Sequence, residues 1–337
     1  MMQPTPSDTS SDPSTTVVIP CYNAEDFISR SIQSVLNQDG ENVEIVVIDD
    51  GSTDKSLDAI KSFGGRVRWV TGPNCGAATA RNRGLELGSS EFILFLDADD
   101  YIQPDSVREW VAQGSDADIV LGPWVAEIGG RIRTPQLPAR DAVSILCDWL
   151  NGTFTAPCSV LWRRAFLCGI GGWNSKAVRN DDGELMIRAI LKGARVAAVP
   201  RGLGVYVQHD SPGRVSKGSS REAVSSLLSC SEELWALAQA EGYVWLRQSF
   251  AMQFYVWAGE AFACGFDDIG QRALCRAREL GLKGHPGSFS HRTLVQILGL
   301  KNKSRFARMV RNLPARNPAA AWRIMFPTAG RASQAPE

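Results

Sequence analysis

The run Phe92-Ile-Leu-Phe-Leu-Asp97-Ala-Asp99-Asp100 restricts the folds open to this chain more than any other stretch. An apolar run without polar alternation specifies a strand covered on both faces, as in a parallel sheet flanked by helices. Ligands of such sheets bind outside the carboxyl ends of the strands. Carboxylates crowded at that edge repel one another unless a cation lies between them. A divalent ion meets the need, and oxygen-only donors completed by a substrate phosphate suit Mg²⁺ or Mn²⁺ better than zinc. On these residues alone a second reading stays open, in which Asp97 and Asp99 cap a helix beginning near Pro104.

The flanking sequence repeats the pattern. Thr16–Pro20 is a short apolar strand, followed by a helix from Asn23 with Phe27, Ile28, Ile32, Val35 and Leu36 on one face. Val43–Asp49 is a second strand, ending in Asp49-Asp50-Gly-Ser-Thr-Asp54 ahead of a helix through Leu57 and Ile60. Val67–Val70 is a third, and the break Gly72-Pro-Asn-Cys-Gly76 precedes a helix carrying Ala80, Arg81, Asn82 and Leu85. A helix from Pro104 to about Gln113 and a strand Ile119–Gly122 follow. Strands alternating with helices predict a parallel, doubly wound α/β sheet. Farther on come a hairpin-like stretch (124–139), a helix (140–150), a strand Cys158–Trp162, a turn at Phe166 and a Gly-rich loop to Asn174. Asn180-Asp181-Asp182-Gly-Glu184 opens another helix, short strands cover 196–199 and 204–209, and the pattern past Arg221 is helical.

Several functions are excluded by what these turns lack. The first strand ends in Cys21-Tyr22-Asn23-Ala24-Glu25, with no glycine of a dinucleotide fingerprint, and no G-x-x-x-x-G-K-[ST] loop occurs. Basic and acidic residues number 36 each, so nucleic acid is not an expected partner. Eight cysteines without a C-x-x-C pair read as a reduced, cytosolic chain. Residues 1–14 have no apolar core and read as a disordered tail, not a signal peptide. No run approaches the roughly 18 apolar residues of a membrane span, so any membrane is met from the side.

Four motifs stand in sequence: Val17-Val-Ile-Pro-Cys-Tyr-Asn23, Asp49-Asp-Gly-Ser-Thr-Asp54, Asn74-x-Gly-x-x-x-Ala-Arg-Asn82-x-Gly84 and Phe95-Leu-Asp-Ala-Asp-Asp100. In order and spacing they resemble the family 2 glycosyltransferases, inverting enzymes of the GT-A fold. The resemblance covers residues 16 to about 122. It implies a Rossmann-like nucleotide-binding domain and transfer of a sugar from a nucleoside-diphosphate donor, UDP or dTDP, to an acceptor hydroxyl. Pro20 and Tyr22 would line the nucleobase pocket, Glu25 would lie on the ribose side, and Asp50 would accept a hydrogen bond from the base. Asp50 also fits a turn or cap. Arg81 would face the diphosphate, or pair with a crevice aspartate, or both. Asp97 would reach ribose or metal, and Asp99 would bind the metal, Mn²⁺ or Mg²⁺.

Asn180-Asp-Asp182-x-Glu184-Leu-x-x-Arg188 resembles the family's acidic helix start, with Asp181 where the family has Glu, and Asp182 matches the catalytic base. Helix starts favour aspartate for structural reasons too, and the Asp181 replacement leaves open which carboxylate is the base. His209 falls where relatives place a metal or diphosphate contact, with Arg214 a weaker candidate, although a lone His at a strand end is often structural. Trp173 fits an acceptor-site wall or core packing.

Ten Lys and Arg residues lie between Lys283 and Arg331 with no acid among them. Arg305, Arg308, Arg311 and Arg316 with Phe306, Met309, Val310 and Leu313 suit either an anionic membrane surface or a solvated helix face. The expected organisation is a tail (1–14), a glycosyltransferase domain (15–220) with a nucleotide-sugar half (15–122) and an acceptor half (123–220), a helical extension (221–313) and a disordered basic tail (314–337). The setting implied by the resemblance is bacterial surface polysaccharide or O-antigen synthesis, on a glycan acceptor that is lipid-linked, in the cytoplasm or on the inner face of the cell membrane. A sugar nucleotidyltransferase or an inactive nucleotide-sugar binding protein are the competing readings.

Overall fold

A computed structural model describes residues 14–38, 42–138, 141–209 and 219–312. The expected terminal tails (Ser14 apart), Arg214, Leu313 and Arg316 lie outside the described residues. Two compact units divide the chain, 1–218 and 219–337.

The first unit is built on a seven-stranded sheet. Its centre is β1 (Thr15–Cys21), with β2 (Val43–Asp49) on one side and β4 (Phe92–Phe95) on the other, both parallel to it, and β3 (Arg68–Thr71) parallel to β2 at one edge. Helices α1 (Ile28–Leu36), α2 (Ser56–Lys61) and α3 (Ala77–Leu87) make the crossovers. All of β4 is buried, as its uninterrupted apolar run requires.

Beyond β4 the sheet departs from the parallel pattern read from the sequence. After β5 (Tyr101–Ile102), α4 (Ser106–Gly114), β6 (Ile119–Leu121), the hairpin β7 (Trp124–Ile128) and β8 (Arg131–Ile132), and α5 (Ala142–Leu150), the chain returns as β9 (Val160–Arg163). That strand lies between β4 and β6 and runs antiparallel to both. A strand covered on both faces is apolar throughout whichever way it points, so the pattern of Cys158–Trp162 carries no direction. Phe166 lies in a short helix, α6 (Arg164–Gly169), rather than a turn. Then come α7 (Asp181–Leu191), β10 (Val196–Ala198), which extends the large sheet beside β6, and β11 (Gly204–Gln208). The last of these joins β5, β7 and β8 in a second, four-stranded sheet.

The first helix begins at Ile28, not at Asn23. Residues 23–25 are held instead by the loop after β2: Asn23 N–H donates to Ser52 Oγ, Ala24 N–H to Ser56 Oγ and Glu25 N–H to Asp54 Oδ2. Asn23 takes a left-handed backbone (φ 48°) to make these bonds, and its own Oδ1 accepts from Thr53 N–H at 2.7 Å. Gly51 is required in the same loop, because its φ is +79° and a Cβ would lie 2.8 Å from the backbone nitrogen of Asn74.

The second unit is helical, with α8 (Arg221–Ala240), α9 (Arg247–Cys264), α10 (Asp267–Glu279) and α11 (Phe289–Asn312), the last broken at Gly299 (φ 73°, ψ 156°). Among the described residues no helix is long and apolar enough to cross a membrane.

Close packing of α3 on β1 rests on Gly84, where an added Cβ would lie 2.1 Å from Val18 Cγ1. Gly84→Ala gains about 1 kcal/mol of helix propensity but overpacks the core by roughly 1–3 kcal/mol. A net loss of stability is expected in urea unfolding followed by tryptophan fluorescence; a raised midpoint means α3 lifts from the sheet without cost.

Candidate active site

The carboxyl ends of β1, β2 and β4 open on one edge of the large sheet, and the acids of the motifs gather there. Asp49 is buried, accepting from Thr71 Oγ1 at 2.6 Å and from Ser52 N–H. Asp50 is also buried, and its two oxygens accept the N–H groups of Cys75 and Gly76, each at 2.8 Å. This carboxylate therefore shapes the turn into α3. Each oxygen keeps a second lone pair, so the turn role leaves room for a base N–H. Pro20 is half-buried and Tyr22 is exposed at the mouth of the same edge. Glu25 Oε2 accepts Lys55 N–H at 2.8 Å, which ties it to the start of α2.

At the end of β4 the chain turns sharply, with Asp100 N–H donating to Asp97 O at 3.0 Å. The turn brings one carboxylate oxygen from each of Asp97, Asp99 and Asp100 within 4.8 Å of one another. Asp97 and Asp99 do not cap a helix: β5 intervenes before α4, whose N-cap is Asp105. Asp100 is fully buried and accepts Val207 N–H at 2.8 Å, pinning β11 beneath the turn. Its backbone oxygen and that of Ala98 accept from Ser31 Oγ of α1. His209 follows β11, its Nε2 2.8 Å from Asp99 Oδ2 and its ring stacked on Phe27 at 4.3 Å between centroids. Hard carboxylate oxygens this close, joined by one imidazole, are a donor set that fits Mg²⁺ or Mn²⁺.

Arg81 of α3 joins this edge to the start of α7. Only 6% exposed, it donates through one Nη to Asp97 Oδ1 at 2.7 Å and through the other to Asp181 Oδ2 at 2.6 Å. Burial works against its charge, but Asp97 and Asp181 outweigh it and hold the guanidinium charged well beyond its ordinary range. The guanidinium lies 4.4 Å over the Trp173 ring. Trp173 is in turn fixed by Asn82, whose amide donates to its carbonyl and accepts its N–H, both at 2.8 Å. Arg188 of α7 completes the support, pairing with Glu184 and donating to the carbonyls of Ile170 and Gly172.

Asp182 sits one residue beyond Asp181 in the first turn of α7, where the N-cap is Asn180 (φ 59°) and makes no side-chain cap bond. Burial, with the charge of Asp181 beside it, pushes the Asp182 carboxyl up to about 7. A narrow pocket opens against it, walled by Phe95, Trp149, Trp162, Trp173 and Met186. The indole N–H groups of Trp149 and Trp173 are buried without a hydrogen-bond partner among the described residues.

The structure thus brings together Asp97, Asp99, His209, Arg81 and Asp182, while Pro20, Tyr22, Glu25 and Asp50 line the neighbouring edge of β1 and β2. Asp100, absent from the metal set read from the sequence, lies with the other two acids; its place in the Asp-Ala-Asp-Asp run was the available signal. Asn82, Glu184 and Arg188 stand in the motifs read from the sequence, but the contacts they make here, Asn82 with the Trp173 backbone and Arg188 with Glu184 and the carbonyls of Ile170 and Gly172, have no spacing signal, and neither has Trp149.

Comparison with known proteins agrees with this geometry. The sequence profile of the family described as Glycosyl transferase family 2 matches residues 16–170. An uncharacterized glycosyltransferase of Haemophilus influenzae is 42% identical over 101 residues, 29% of this chain and 40% of that protein. The poly(ribitol-phosphate) beta-glucosyltransferase of Bacillus spizizenii is 36% identical over 115 residues, 32% of this chain and 18% of the relative. The matched segments therefore span less than half of these relatives. Among solved structures, S. aureus TarS 1–349 in complex with UDP-GlcNAc superposes with a TM-score of 0.57 at 16% identity, covering 79% of this chain and 90% of that one. The first unit has the GT-A fold, a mixed α/β sheet with a Rossmann-like core, and a helical region follows it.

Replacing Arg81 tests how much of the crevice it holds. Arg81→Met leaves Asp97 and Asp181 facing each other without a cation, so a loss of about 3 kcal/mol is expected in chemical unfolding. Millimolar Mn²⁺ should recover part of it by binding at Asp97. A change below about 0.5 kcal/mol, the range of ordinary surface substitutions, would mean the pair contributes little.

Proposed function

With residues 16–170 a family 2 glycosyltransferase domain, we propose that the chain transfers a sugar from a UDP or dTDP donor to an acceptor hydroxyl, inverting the anomeric centre. The observation that carries this reading is the Arg81 bridge, which holds the Asp97 edge of β4 and the Asp181-Asp182 start of α7 in one crevice. A donor site and a proton acceptor on opposite walls of one crevice are what direct displacement requires.

Asp50 receives the imide N–H of the base, Tyr22 and Pro20 cover its ring, and Glu25 faces the ribose. The UDP-GlcNAc complex of TarS supports a uridine donor. Asp97 and Asp99, with His209 beside them, hold Mn²⁺ or Mg²⁺. When bound, that ion offsets diphosphate charge and acts as a Lewis acid toward the leaving group. Arg81 adds a fixed cation at the same place.

Asp182 takes the proton of the acceptor hydroxyl as that oxygen attacks from the face opposite the diphosphate. A carboxyl raised to about 7 has the affinity a base needs at neutral pH, and Asp181, neutralised by Arg81, is the weaker candidate. The acceptor sugar lies on the α7 side of the crevice, with its attacking hydroxyl against Asp182. The residues after 122 thus supply the acceptor half. The acceptor is a glycan of bacterial surface polysaccharide, lipid-linked and met at the inner face of the cell membrane. The B. spizizenii relative, named for a poly(ribitol-phosphate) substrate, supports a polymer acceptor.

The test is release of nucleoside diphosphate from a panel of UDP, dTDP and GDP sugars, with Mn²⁺ or EDTA, in wild type and Asp182→Asn. Turnover of one donor that needs metal and falls by about 10²–10⁴ in the variant, at unchanged donor affinity, is expected for loss of a general base. Metal-dependent binding without turnover on any acceptor would favour an inactive binding protein.

Turnover should also depend on pH. Asp182 is protonated below its raised pKa, so kcat/KM should fall as pH drops through about 7 and level off above it. A flat wild-type profile between pH 5.5 and 8.5 (roughly 1.5 units on either side) would remove Asp182 from the role.

A further inference from the structure

We infer that the outward face of α11 docks the protein on an anionic lipid surface. The inference deepens the proposed work on a lipid-linked acceptor, taking its purpose from that reading and its geometry from the second unit alone.

The kink at Gly299 splits α11 into two half-helices. In the first, Phe289, Leu294, Ile297 and Leu298 fall within about 180° of the helix circumference. All four are exposed, Phe289 at 78% and Ile297 at 71%, while Val295 on the opposite side is buried. In the second, Leu300 and Ser304 face inward, and Phe306 and Met309 on the other side are 51% and 58% exposed. Six large apolar side chains turned to water within 21 residues are not the surface of a helix that only packs against its own unit.

Charge selects the occupant. From Phe289 to Asn312 the helix carries Arg292, Lys301, Lys303, Arg305, Arg308 and Arg311 and no acid. Asp267 of α10 meets Lys301 at 2.5 Å and Arg305 at 2.8 Å, which offsets one of the helix's positive charges. A second copy would bring cations against cations. Nucleic acid would match the charge but gives Phe289 and Ile297 nothing to enter. A bilayer with anionic headgroups satisfies both, with apolar side chains in the acyl boundary and Arg and Lys among the phosphates.

The test is co-sedimentation of the full chain with phosphatidylcholine vesicles, with and without phosphatidylglycerol. Wild type should bind the anionic vesicles, release them at high salt and ignore the neutral ones. Phe289→Ser with Ile297→Ser keeps the charge and should weaken binding by about tenfold or more, and Arg292→Glu should weaken it by about tenfold. Circular dichroism and UDP binding, measured on each variant, establish that the fold persists. Failure of wild type to bind anionic vesicles, equal binding by the variants, or self-association or duplex-DNA binding abolished by the double substitution without any vesicle binding would each overturn the inference. UDP binding that survives such a failure leaves the sugar-transfer reading standing, and vesicle binding without UDP binding leaves this one standing.

Discussion

The Arg81 guanidinium is the interaction on which the crevice depends. Asp97 ends a central strand and Asp181 begins a helix 84 residues later, and each would repel the other and Asp182 without the cation between them. Because Arg81 is buried, its two bonds are fixed in direction, and the Trp173 ring beneath it leaves no room to swing. The arrangement also sorts two adjacent acids. Asp181 is matched by a cation, whereas Asp182, one residue on and half-buried, holds its proton more tightly through desolvation and the Asp181 charge. The two adjacent acids thus differ because Arg81 bonds Asp181 and not Asp182.

Support for that bridge comes from the residues around it. Asn82 fixes the backbone of Trp173, and Arg188 reaches from α7 to the carbonyls of Ile170 and Gly172, so the loop, the helix and α3 are cross-linked around the guanidinium. On the opposite side the first two βα turns are laced to one another through Asn23, Ser52, Asp54 and Ser56. A rigid edge of this kind keeps carboxylates at short range without collapse, the preorganisation that transition-state charge stabilisation requires.

Much of this was legible in the residues, for a physical reason. Strands β1, β2 and β4 are buried on both faces and end in polar turns, so apolar run length and the acids after it mark both strand and site. Direction was not legible: β9 has the same apolar character and runs the other way, and the start of α1 moved to Ile28 because Asn23 to Glu25 bond to a loop thirty residues on. At the site, spacing pointed to Asp97, Asp99 and Asp182 but not to the inward turn of Asp100, which depends on a backbone N–H of β11. The packing beside Asp182 was the least legible, since Trp149, Trp162 and Trp173 come from a helix, a strand and a loop that meet only in three dimensions.

The most direct test of the central claim, that the β4 edge is a diphosphate site completed by a divalent ion, is calorimetric titration of UDP into wild type and Asp99→Asn, with Mn²⁺ and with EDTA. The account predicts that Mn²⁺ tightens UDP binding in wild type by at least about tenfold, roughly 1.4 kcal/mol, and that Asp99→Asn abolishes the difference while retaining the weak metal-free affinity. Equal UDP affinity with Mn²⁺ and EDTA in wild type, or a full metal effect surviving in Asp99→Asn, would contradict it.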